Sequence, residues 1–360
     1  MKTLFHRALP TIFVTLFLAL LTLYILLDAF VISRPLDQTP ISRDPTSTFF
    51  PVTTSTVSPS TSDSAPVTTD SPQTDPPPAD TSAADTSAAD TSAADTSAAD
   101  MEPEPDYPII GDLYYKDENI EISIEETYRT NGYGVSNRVF VVDLKLSDIE
   151  YLRTAFAEDQ YGYKIRETTT TIAERYNAVF AINGDYYGYR KEGFVLRNYD
   201  LYRDTPRDGE DDDALVVFDD GSLFMIDENS IPAVSLPSSV YQCFSFGPRL
   251  VENGKIMVDE DSEVGQSAAS NPRTAIGMIE PLHYKIVVSE GRLVDHDGLT
   301  LAELAELMQE LGCNTAYNLD GGSSTTLYFN GRVLNELSAD ERKISDIIFI
   351  NGKSYSEDPN

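Results

Sequence analysis

Apolar and polar positions divide the chain into three stretches. Residues Ala8 to Leu27 form an uncharged run dominated by Leu, Phe, Ile and Val. At ~1.5 Å per residue a helix of that length covers a ~30 Å hydrocarbon core, so the run predicts a membrane span within an N-terminal segment 1–34. From 35 to 106 the apolar pattern gives way to Pro, Thr, Ser, Asp and Ala, with Asp-Thr-Ser-Ala-Ala four times in succession from Asp80 to Ala99. Such a stretch buries too little apolar surface to offset chain entropy and predicts a disordered stalk. It would reach roughly 50 Å as a coil and up to about 220 Å drawn into polyproline geometry. From 107 to 360 short β-branched and aromatic runs return between regular turn signals, which predicts one folded domain.

Within that domain Val139–Val142 reads as a strand, and Ser147 with Glu150 makes a capping-box start for a helix to about Phe156. A second short helix is expected around Thr170 to Tyr176, followed by a buried strand at Ala178–Ile182. Asp220-Gly221, Asn253-Gly254 and Asn330-Gly331 each sit between apolar runs and predict hairpins. His283–Val288 reads as another strand. Thr300 and Glu303 open the clearest helix, with Leu301, Leu304, Ala305, Met308 and Leu311 on one face and Gly312 ending it. Thr315–Leu319 and Ile344–Ile350 complete the strands. The expected class is α+β, a mixed, largely antiparallel sheet with about three helices.

Charge narrows the partners. The full chain carries a formal net charge of −33, and residues 107–360 hold 22 basic against 45 acidic side chains. This balance argues against nucleic acid. Lys2 and Arg7 precede the apolar run and acidic sequence follows it, which places the short N-terminus in the cytoplasm and the remainder outside the cell. No small-x-small cleavage site follows the run, which favours a retained single-pass anchor through 8–32 over a cleaved signal peptide. Cys243 and Cys313 are the only cysteines, so no disulfide framework is implied, and a single bridge between them is left open. Asp208–Asp213 and Asp259–Glu263 are acidic clusters that would suit Ca²⁺, but neither has the ligand spacing of an EF-hand loop. No cofactor is required by the chemistry below.

Three segments carry candidate chemistry. Asn318-Leu319-Asp320-Gly321-Gly322-Ser323-Ser324 puts a carboxylate at a strand end, followed by glycines whose amides can approach an anion and by two hydroxyls. Asn183-Gly184-Asp185-Tyr186-Tyr187 again places polar groups and aromatics at the end of a buried strand. Arg273 opens an apolar strand, and a guanidinium forks well onto phosphate. Taken singly, the Asp320 segment reads as an ordinary turn and Arg273 as a surface ion pair, and the Asn183 segment fits a strand-end turn with core tyrosines as well as a site.

Together with Phe246–Leu250, Arg273–Gly277, Gly298–Thr300 and Arg342–Ser345, these segments occur in the order found in the phosphodiester glycosidase family, which the sequence resembles over most of 130–352. The resemblance implies a hydrolase acting on a sugar-1-phosphodiester of the N-acetylglucosamine-1-phosphate type, in a surface polysaccharide or other phosphorylated glycoconjugate. It also implies a site made from Asn183, Arg273, Asp320, Gly321, Gly322, Ser324 and Arg342. Ser323 and Asp185 replace glycines of the family pattern, and Ser323 is expected to meet the substrate and help set which sugar is accepted. Because the leaving group is a phosphate ester, charge stabilisation substitutes for a strong acid. We therefore expect Arg273, the Gly321 and Gly322 amides, Ser324 and Arg342 to hold phosphate, and Asp320 to act on water or the anomeric centre with Asp185 as a second carboxylate. Competing readings are a glycan-binding module without turnover and cleavage on the phosphorus side. A Ser-His-Asp hydrolase has only His283 and His296 to draw on in this domain and no Gly-x-Ser-x-Gly elbow, and no zinc-ligand spacing is present.

Overall fold

The computed structural model describes residues 15–27, 32–43, 108–209, 212–258 and 269–352. Residues 15–27 are helical, and among the described residues no helix is long and apolar enough to cross a membrane. The rest of the expected span, 8–14, and most of the expected stalk lie outside the described residues.

Among the described residues, three large antiparallel sheets and one two-stranded pair form the domain. The largest has nine strands, centred on the long hairpin Ile120–Thr130 and Ser136–Leu146 and continuing through His283–Ser289, Arg273–Glu280, Thr315–Asn318 and Arg249–Glu252. A five-stranded sheet holds Ala178–Asn183 between Leu327–Phe329 and Asp346–Asn351. Another has Val240–Ser245 between Val195–Arg197 and Asp213–Phe218. Every strand pairing among the described residues is antiparallel, so the expected mixture of directions is corrected to antiparallel throughout.

The main core lies where the three sheets meet, with Phe140, Val142, Ile286 and Ile276 from the nine-stranded sheet, Phe180, Ile182, Ile348 and Ile350 from one smaller sheet, and Leu215, Val217 and Phe244 from the other. The outer faces have their own covers. Helix Leu301–Glu310 lays Leu301, Leu304, Ala305 and Met308 over Val139, Val287 and Leu250, and helix Thr169–Arg175 covers Ala181 and Phe349 through Ile172 and Ala173. Both helices begin as their caps require: the Thr168 hydroxyl accepts from Thr171 N–H, and Thr300 with Glu303 forms a complete capping box.

The three Asx-Gly hairpins form where expected. The capping-box helix after Ser147 does not. Asp148, not Ser147, caps a single 3-10 turn at Ile149–Tyr151, while the Ser147 hydroxyl donates to Asn119 Oδ1. Residues Arg153–Phe156 are instead an edge strand on Asp346–Phe349, and this ladder overrides the local helix signal.

Residues 34–43, assigned above to the stalk apart from Arg34, pair with the domain. Arg34 and Pro35 form an antiparallel pair with Tyr163 and Gly162. Cys243 and Cys313 are buried, unbridged thiols in separate apolar clusters.

Candidate active site

Strand Ala178–Asn183 is buried along its whole length and ends at Asn183, whose side chain is a clamp. Its Nδ2 donates to the Asp320 carbonyl at 2.6 Å, and its Oδ1 accepts from Thr274 Oγ1 at 3.0 Å and from Thr326 N–H at 3.3 Å. Four strand ends from two sheets are thereby joined at one point. Leu319 N–H donates to the Thr274 carbonyl and Gly322 N–H to the Pro272 carbonyl, which seats the whole Asn318–Ser324 segment against the start of Arg273–Glu280.

The two glycines after Asp320 serve this seating. A Cβ on Gly321 would stand 2.8 Å from the Pro272 carbonyl oxygen, and Gly322 has φ +60° with the Arg292 guanidinium about 3.2 Å from where its Cβ would be. The left-handed conformation and the close approach both favour glycine. The Gly322 amide is committed to Pro272 and does not face outward as an anion donor, contrary to expectation.

Asp320 ends up 9% exposed. Burial pushes its pKa up to about 6, against the opposing pull of the Ser324 hydroxyl, Arg342, Arg190 and the Gly321 amide. Ser324 Oγ, Asn318 Oδ1, Ser345 Oγ and Asp346 Oδ1 are buried without a hydrogen-bond partner among the described residues, and the Ser324 hydroxyl is close enough to Asp320 to lower its pKa. Several buried polar atoms around these strand ends thus have no protein partner among the described residues.

The rim is cationic and aromatic. Asp185 Oδ1 accepts from Tyr187 N–H at 3.1 Å and starts a 3-10 turn at Tyr187–Tyr189. Because i and i+3 eclipse in that geometry, Tyr186 and Tyr189 stack at 4.5 Å with planes 9° apart. Arg342 lies 5.9 and 5.6 Å from these two rings, and Arg190 sits 5.4 Å from Tyr186 and 5.0 Å from Phe246. Neither guanidinium has a carboxylate partner in an ion pair among the described residues, although both act on Asp320. Arg190 was not identified from the sequence. Its one signal is its place directly after the Asn-Gly-Asp-Tyr-Tyr-Gly-Tyr run.

Other expected site residues sit elsewhere. Asp185 is 3% exposed and faces inward, accepting from Ser245 N–H at 3.0 Å and pairing with Arg197 at 2.9 Å. Arg197 also holds Asp346, at 2.8 Å, so two buried carboxylates share one buried cation. Burial and the neighbouring Asp185 raise the Asp346 pKa, with Arg197 opposing. A Cβ on Gly184 would collide with the Asp346 carboxylate, so glycine there lets this cluster approach the strand end. Arg273 is buried, and its guanidinium donates to the Leu299 and Ala269 carbonyls at 2.9 and 3.1 Å. It therefore holds loops together behind the site. Ser323 turns away toward Arg292, which donates to its hydroxyl at 3.4 Å.

His283 pairs with Asp143, and the His296 ring hydrogen-bonds the Ser136 carbonyl, so neither belongs to this site. No group of metal-ligating side chains occurs among the described residues. Of the acidic clusters, Asp212 and Asp213 pair with Arg207 and Arg249, and 259–263 lie outside the described residues.

Residues 176–351, which include Asn183, Arg190, Asp320 and Arg342, match the phosphodiester glycosidase family model. The segment is a phosphodiester glycosidase domain. The chain is also 29% identical over 205 residues to the SPbeta prophage-derived uncharacterized protein YomE of Bacillus subtilis (strain 168), covering 55% of this chain and 31% of that protein. It thus spans about a third of the length of that curated relative. Among solved structures, the fold matches the catalytic domain of zebrafish N-acetylglucosamine-1-phosphodiester alpha-N-acetylglucosaminidase, auto-inhibited by its pro-peptide. The TM-score is 0.54 at 20% identity, over 66% of this chain and 85% of that one.

Proposed function

We propose that this glycosidase domain hydrolyses a sugar-1-phosphodiester of the N-acetylglucosamine-1-phosphate type in a phosphorylated surface glycan. We further propose that it works outside the cell, anchored through the apolar run 8–27. The observation that carries the catalytic reading is Asp320: a buried carboxylate with its pKa raised to about 6, lowered in turn by two guanidiniums, Arg342 and Arg190, that have no carboxylate ion pair among the described residues.

Each part has a role. Asp320, ionised near neutral pH and matched in basicity to proton transfer there, takes a proton from water as the water oxygen bonds to the anomeric carbon. The bond from that carbon to the phosphate oxygen breaks, and the phosphate monoester departs with its added negative charge. Arg190 and Arg342 stabilise that charge, and the Tyr186–Tyr189 stack offers an apolar face to the substrate. A phosphate leaving group needs no protonation by a second carboxylate, which accords with Asp185 being bound to Arg197.

The test incubates the full chain with an N-acetylglucosamine-1-phosphodiester in ¹⁸O-water. Label in the released sugar supports the reading. Label in phosphate makes the protein a phosphodiesterase, and binding without release across a substrate panel makes it a glycan-binding module.

A further inference from the structure

The segment just after the apolar run is built into the domain. Arg34 and Pro35 pair with Tyr163 and Gly162, and Leu36 N–H donates to the Tyr161 carbonyl at 3.0 Å. Gln38 and Tyr161 make a reciprocal pair, the side-chain amide donating to the Tyr161 carbonyl at 2.7 Å and its oxygen accepting from Tyr161 N–H at 2.8 Å. Ile41 bridges to Leu201 on Asp200–Arg203, the outermost strand of its sheet, with Ile41 N–H donating at 2.6 Å. Arg43 then donates to the Pro237 and Tyr199 carbonyls at 2.7 and 2.9 Å.

Leu36 also packs on the cluster of Tyr161, Tyr187 and Val195. Position 162 is a glycine, and a Cβ there would stand 2.5 Å from the Arg34 carbonyl oxygen and 3.0 Å from the Pro35 Cα. The receiving strand is shaped for close backbone approach. The strap also covers a sheet edge that would otherwise offer unpaired N–H and C=O groups.

From this we infer that residues 34–43 are an integral strap of the glycosidase domain, so that the chain enters the domain at Arg34 and 35–106 is not the tether between helix 15–27 and the domain. The two descriptions differ in reach. A tether of 35–106 could lift the domain by up to about 220 Å. With the strap docked, only residues 28–33 separate helix 15–27 from the domain, at most about 20 Å of extended chain. On the reading of 8–27 as an anchor, the substrate is then a phosphodiester at the membrane face rather than one beyond a wall.

A cross-link in the full chain tests the strap independently of turnover and of the anchor. Antiparallel partners lie at Cα separations suited to a disulfide, and Arg34 faces Tyr163 in register. The native thiols are buried and do not compete. The chain carrying Arg34→Cys and Tyr163→Cys, with a site-specific protease sequence inserted in the Asp-Thr-Ser-Ala-Ala repeats, is oxidised, cleaved and run without reductant. We expect the fragments to stay linked. We also expect Leu36→Asp with Arg43→Ala to slow cross-linking at least tenfold, and Arg34→Cys paired with Val294→Cys, a fully exposed position, to remain unlinked. Separation of the fragments of the first chain, or equal linking in the Val294 control, overturns the strap.

Discussion

Asn183 Nδ2 donates to the backbone carbonyl of Asp320 at 2.6 Å, across 137 residues of sequence. The bond puts the ends of two strands from different sheets in contact, and it does so with a side chain that is itself fully buried and fully matched. Asp320 is positioned by its backbone, which leaves its carboxylate free to face the arginines.

Replacing that carboxylate should stop turnover without unfolding the domain. Asp320→Asn is expected to lower kcat by about 10²- to 10⁴-fold, the usual contribution of a positioned acid or base. A loss under threefold in steady-state assays, with the melting curve intact, removes Asp320 from the chemistry.

The raised pKa has two consequences of defined sign. Activity that needs ionised Asp320 should fall as pH drops through about 6. Stability runs the other way: between its ordinary 3.8 and about 6 the folded state binds more proton than the unfolded state, so burial of Asp320 costs stability as pH rises through that window and stays costly above it. Asp320→Asn should therefore gain relative to wild type from pH 4 to 6, by about 3 kcal/mol at most, and level off above. Urea unfolding at several pH values reads this directly, and a difference independent of pH would contradict it.

Arg190 and Arg342 should act on substrate rather than on the fold. Alanine at either position is expected to reduce kcat/KM by about 10- to 100-fold and to weaken inhibition by inorganic phosphate, while thermal stability changes little. Lysine should recover only part, because a point charge lacks the guanidinium fork. Unchanged phosphate inhibition in both alanine variants would rule out the assignment.

Arg197 is expected to behave oppositely. Arg197→Met leaves Asp185 and Asp346 buried together with no cation, and removing one partner from such a cluster costs about 3–5 kcal/mol. Adding Asp346→Asn should return part of that loss by removing one stranded charge. Denaturant midpoints decide it: equal stability of the single and double variants would show that the carboxylates do not depend on Arg197.

Much of this protein was legible in local sequence. Hairpins at Asp220-Gly221, Asn253-Gly254 and Asn330-Gly331, the capped helix from Thr300 and the buried strand Ala178–Asn183 follow from turn chemistry, capping and periodicity, all of which act between near neighbours. So did the pairing of Asn183 with the Asp320 segment in one family pattern. Only tertiary structure decided the division of labour within that pattern. Arg153–Phe156 became strand because a partner ladder was available, and residues 34–43 joined the domain because an edge and a glycine received them. Asp185 and Arg273 turned inward to bind Arg197 and backbone carbonyls, while Arg342, with Arg190, which the sequence reading missed, came beside Asp320. Residue type determines what a side chain can bind. Which charge is buried, paired or left facing a ligand depends on neighbours that the fold brings from far along the chain.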